Sequence, residues 1–138
     1  MHETQPRFYE RLGWRVDADV SAGDDYRLVH LTPPASKVSI VFGRGVTAAP
    51  PGSLDGVVLA VDDIDAARDE LRSRGVDVSE LFHDAGGSVA GGFIADADVR
   101  AAGPDPQGRC HTTYASFSDP DGNRWLLQEI TERAPGRV

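Results

Sequence analysis

Apolar and polar positions along the chain change period several times, and each change marks an element. Phe8 and Leu12, with Tyr9 beside them, fall on one face of a short helix. Gly13 follows, at the position past a helix end that favours positive φ. Trp14, Val16 and Ala18 alternate with Arg15, Asp17 and Asp19, which is the period of a half-buried strand. Apolar runs at 26–31 and 38–42, separated by Pro33-Pro34-Ala35-Ser36, predict two more strands. The opening MHETQPR is polar, contains Pro6 and reads as a mobile lead-in.

After a Pro/Gly-rich connector at 44–55 the pattern recurs. Gly56 to Val61 is a run rich in β-branched residues, and Asp62 or Asp63 is placed to cap the helix that follows. Ile64, Ala67, Leu71 and Arg74 keep helical spacing up to Gly75, and Val76, Val78, Leu81 and Phe82 predict the next strand. Helix, glycine, strand thus occurs at 8–16 and again at 64–78, a repeat of roughly 60 residues, too long for a solenoid and suited to two similar modules. The last two strands come from YASFSDPDGNRWLLQEI at 114–130, where Asp119-Pro120-Asp121-Gly122-Asn123 sets a tight turn. The organisation expected is one domain over 1–138. It comprises a first module at 8–43, a linker at 44–55, a second module at 56–130 and a tail at 131–138.

Residues 84–109, inside the second module, hold six glycines with Pro104 and Pro106. A loop longer than about 15 residues is uncommon and usually functional or disordered. Phe93, Ile94 and Val99 give it apolar anchors, so it reads as a flap over the sheet carrying a short strand or helical turn.

Composition narrows the partners. A net charge of -8, with Lys37 the only lysine, disfavours nucleic acid and anionic membrane, because a polyanion must be met by clustered cations. No apolar run approaches the roughly 20 residues of a membrane span. Cys110 is the only cysteine, so no intrachain disulfide forms. The expectation is a soluble, cytoplasmic protein.

The DPDGN turn leading into an apolar strand that ends in an acid resembles the closing hairpin of the vicinal oxygen chelate superfamily. That superfamily includes glyoxalase I, bleomycin-resistance proteins and extradiol dioxygenases. FYERLGWRV at 8–16 and GVVLAVDDIDAARDELRSRGVDV at 56–78 are similar to its first helix and strand and to the opening of its second module. The resemblance implies an α+β fold of paired β-α-β-β-β modules forming a cupped mixed sheet. In the place of the opening strand this chain has only MHETQPR. An upstream start, an open sheet edge or a partner's strand would each account for that.

The resemblance also implies where a metal would be held. The second-module ligand falls at Gly56, the closing acid at Leu126, and the first-module ligand near Phe42 or Gly43. None of these coordinates a metal, and the ligand of the opening strand is lost with that strand. Substitutes are Glu129, which alternation puts on the face opposite Leu126, and His30, His83 and His111 if they converge. Cys110 beside His111 is a weak nucleophile candidate, since neighbours on a strand point to opposite faces. Arg124, Leu126 and Gln128 share the face that the family turns inward; with His83 and Gly56 they form the expected ligand-binding set, to which Arg27, Tyr114 and Ser116 add polar contacts.

The expected function is a metal-independent small-molecule binding protein of the glyoxalase/bleomycin-resistance type, without cofactor and acting as a homodimer. The alternative is a lyase, isomerase or dioxygenase using a divalent metal on non-standard ligands. A third reading is a metal-free enzyme with His83 or a tyrosine as acid or base.

Overall fold

A computed structural model describes residues 4–86 and 99–132, and they form two compact units. The first comprises residues up to Leu54 together with the turn Asp119–Asn123; the second comprises Asp55–Ser118 and the chain from Arg124 onward.

The first unit begins with α1 (Gln5–Arg11), which has Pro6 in its first turn, where a missing N–H costs nothing. The lead-in reading is therefore overturned for Gln5 to Arg7, which are helical. Gln5 is buried because its amide finds partners in the turn at 119–123. Strands β1 (Arg15–Ser21), β2 (Arg27–Thr32) and β3 (Ile40–Arg44) form an antiparallel sheet in that order. Register slips between Val16 and Ala18. There Asp17 accepts from Arg15 and from the Thr32 hydroxyl, so the strict alternation expected over 14–19 is interrupted. Phe8, Tyr9, Leu12, Trp14, Val29 and Leu31 form the core of this unit, and Tyr9 packs on both Trp14 and Phe42.

The connector is not a free linker. Leu54 N–H donates to Asn123 Oδ1 at 2.9 Å. A Cβ on Gly52 would stand 2.1 Å from the Asp121 carbonyl oxygen, so only glycine permits that approach.

The second unit holds a five-stranded mixed sheet. Its strands are β4 (Val57–Val61), β5 (Phe82–Asp84), β6 (Arg100–Ala102), β7 (Tyr114–Ser118) and β8 (Arg124–Glu129), in the order β4-β8-β7-β5-β6. β4 runs parallel to β8, and α2 (Ile64–Ser73) follows β4. Asp63 is the N-cap, accepting from Ala66 N–H. The strand expected from Val76 is coil until Phe82. Val76 and Val78 are buried as anticipated, but Ser79 meets β7 irregularly, its N–H donating to the Ser116 carbonyl while its hydroxyl accepts from Ser116 N–H. β6 is the short strand anticipated inside the flap; Phe93, Ile94 and the middle of that segment lie outside the described residues.

Candidate functional site

Register assigns the side chains of the second sheet to its two faces. Ala60, Gln128, Tyr114, Phe82 and Ala102 are successive cross-strand partners and share one face. Val58, Leu126 and Ser116 form the adjoining row of the same face. Phe82, Tyr114 and Leu126 are buried together with Val58 packed against them. The two rings lie 5.7 Å apart at 18°, in stacked geometry. Arg100 lays its guanidinium over the Phe82 ring, 4.4 Å from the centroid. Gln128 is buried, and its amide donates to the His111 carbonyl at 3.0 Å and to the Tyr114 hydroxyl at 3.3 Å. Gln128 thus holds the tyrosine within a buried apolar, aromatic cluster.

The expected ligand-binding residues fall into groups. Leu126 and Gln128 belong to this face, and Arg124 follows them by alternation. Arg124 is exposed, however, and reaches Asp55 at 3.8 Å. His83 is paired with Ala101 on the opposite face from its neighbour Phe82, and its Nδ1 lies 2.8 Å from the Gly103 carbonyl oxygen. Gly56 precedes β4 with φ +79°, a conformation in which a side chain is strained. Arg27 lies in the first unit, where it forms a bidentate pair with Asp19.

The residues at the metal positions implied by the resemblance do not fit a metal. There, Gly56 has no side chain, Leu126 is packed among apolar groups and Phe42 packs its ring, tilted, against Tyr9. At Gly43 a Cβ would stand 1.7 Å from the Arg27 carbonyl oxygen, which shuts out any side chain. Among the described residues, no three His, Cys, Asp or Glu side chains are grouped to hold an ion. Glu129 is engaged elsewhere. Its carboxylate accepts from Ile64 N–H, satisfying an open donor at the start of α2.

Cys110 and His111 correct an expectation. They precede β7 rather than lying on it, and His111 takes φ +69°. Strand alternation therefore does not separate them, and Cys110 Sγ lies 2.8 Å from His111 Nδ1. The thiol also contacts the Glu132 backbone at 3.4 Å.

Two buried carboxylates organise the turns in which they sit. Asp119 Oδ1 accepts from the N–H groups of Asp121 and Asn123, and Oδ2 accepts from Gln5, Tyr9 and the Asn123 amide. Asp105 accepts from Arg109 through Nε at 2.9 Å, a terminal nitrogen at 3.3 Å and the backbone at 3.1 Å, and also from the Thr112 hydroxyl and the Gln107 N–H. The Arg109 guanidinium holds the Asp105 carboxyl well below the usual carboxylate range. The turn composition around Asp119 signalled a local role, but nothing in it announced Gln5 and Tyr9.

Comparison with known proteins agrees with this architecture. The profile of the Glyoxalase/Bleomycin resistance protein/Dioxygenase superfamily matches residues 6–127, and the chain belongs to that superfamily. Among solved structures it is similar to TnmS3, an antibiotic binding protein from Streptomyces sp. CB03234. The identity is 30% over 93% of this chain and 85% of that one, with a TM-score of 0.61. A glyoxalase/bleomycin resistance protein from the same organism is 29% identical over 93% of this chain and 91% of that one, with a TM-score of 0.59. A superfamily member from Sphaerobacter thermophilus DSM 20745 shares the fold at 24% identity, covering 92% and 86% of the two chains, with a TM-score of 0.59. No curated protein matches the chain.

Proposed function

We propose that the protein binds a small, flat, largely apolar molecule without a metal, in the manner of the antibiotic-binding branch of its superfamily. The observation that carries this reading is the face formed by Phe82, Tyr114, Leu126 and Val58 with the Gln128 amide set among them. Apolar and aromatic walls with a few fixed polar groups are the usual make-up of a small-molecule site. Similarity to an antibiotic binding protein supports the same reading. So do Gly56 and Leu126 at positions where the superfamily's enzymes carry metal ligands, since neither offers a donor atom.

The reading extends to a homodimer in the cytoplasm. A single cysteine suits a reducing compartment, and among the described residues no helix is long and apolar enough to cross a membrane. Light scattering coupled to size exclusion tests the dimer.

The test of binding starts with elemental analysis of protein purified without chelator or affinity nickel. A thermal-shift screen of planar aromatic antibiotics in excess EDTA follows. The expected result is less than stoichiometric metal, and a compound that raises Tm in EDTA but loses at least about tenfold in affinity with Leu126→Glu. Near-stoichiometric metal, or stabilisation that requires a divalent ion, would replace this reading with a glyoxalase-type enzyme.

A further inference from the structure

The first sheet places two arginines directly opposite each other, Arg27 on β2 and Arg44 at the end of β3. Facing partners lie on the same side of a sheet with Cβ atoms about 5 Å apart, and like charges there repel. Asp19 neutralises Arg27 through Nε at 2.9 Å and a terminal nitrogen at 2.8 Å. Arg44 is in a different state. Its Nε is shut off from solvent and has no hydrogen-bond partner among the described residues.

The local sequence explains why the backbone leaves Arg44 in this condition. Gly43 and Gly45 flank it, and both pack backbone to backbone. A Cβ at Gly43 would stand 1.7 Å from the Arg27 carbonyl oxygen, and one at Gly45 2.9 Å from the Asp25 carbonyl oxygen. The chain is therefore pinned on either side of Arg44, and neither neighbour supplies a side-chain acceptor for its guanidinium. An N–H donor shut off from solvent without an acceptor is in an unfavourable state, relieved when the side chain swings out to meet one. A carboxylate or phosphate accepts side-on from Nε and a terminal nitrogen together, which matches guanidinium geometry.

We propose that Arg44, with Arg27 beside it, forms a binding site for a small oxyanion, the carboxylate or phosphate of a small molecule. This site belongs to the first unit. Asp24 and Asp25 in the preceding turn oppose an incoming anion, so binding is sensitive to ionic strength.

The test is an NMR titration of uniformly 15N-labelled full-length protein, following arginine Nε–H resonances. Inorganic phosphate and sodium benzoate are added separately at constant ionic strength, with chloride as the control. The Arg44 resonance, assigned by its loss in Arg44→Lys, is expected to shift saturably with phosphate, benzoate or both, and the preferred ion distinguishes the two sources. Arg44→Lys keeps the charge without the fork and should bind about tenfold more weakly, as read from backbone amides of residues 43–45. A linear shift equal to that in chloride, or unchanged amide titrations in Arg44→Lys, would overturn the site.

Discussion

Asp119 and Asp105 are both buried acids at the centre of a turn, and each accepts five hydrogen bonds or more; they differ in who donates. The donors to Asp105 all come from the eight residues that begin with it, and its counter-charge is Arg109. That knot orders one loop. Asp119 also takes its turn's own N–H groups, but two of its donors, Gln5 and Tyr9, lie 114 and 110 positions away. The same device therefore acts at two scales. With local donors it stiffens a loop, and with distant donors it ties α1 to a turn far along the chain within one compact unit.

Substitutions at either acid test this contrast. The largest effect is expected for Asp119→Ala, which leaves buried donors from Gln5, Tyr9, Asp121 and Asn123 without their acceptor. A loss of about 3–5 kcal/mol in chemical denaturation is the expected outcome. A loss under about 1 kcal/mol would show that water replaces the carboxylate and that the long-range tie is weak. Tyr9→Phe isolates one distant donor, because it removes the hydroxyl while keeping the ring against Trp14 and Phe42. It should cost about 1.5–3 kcal/mol, the range for a hydrogen bond to a charged group.

Asp105→Asn keeps the shape but not the charge, so at neutral pH it loses the stabilisation that the ionised carboxylate draws from Arg109, and it has a distinctive effect in acid. The folded carboxyl has its pKa depressed below its unfolded value by Arg109, so its stabilisation is fully present above the unfolded value of 3.8 and fades as pH falls below it. The wild-type Tm should therefore drop on acidification from about pH 5 to about pH 2.5 more steeply than that of Asp105→Asn. Parallel curves would remove Asp105 as a source of acid sensitivity.

Much of the fold was legible because it rests on short-range signals. An aspartate cap at 62 or 63, the helix up to Gly75 and the hairpin at 114–130 each follow from residues within a few positions; the structure has the cap at Asp63 and both other elements. Glu129 was harder to read. Alternation correctly separated it from Leu126, but its bond to Ile64 depends on β8 lying beside β4, a pairing between strands far apart in sequence. The Cys110–His111 contact was misread because β7 begins only at Tyr114, beyond both residues. At Ser79 a hydroxyl took the place of a ladder partner, which hydrophobic spacing does not record.

Residue type and near neighbours were enough to establish the local periods, the turn chemistry and the want of donor atoms at Gly56 and Leu126. They could not establish that Gln5 is a buried partner of Asp119, that Phe82 and Tyr114 stack beneath Arg100, or that Arg27 faces Arg44. Those arrangements depend on strand register and on contacts between residues far apart in the chain, where a shift of one position turns every side chain to the other face.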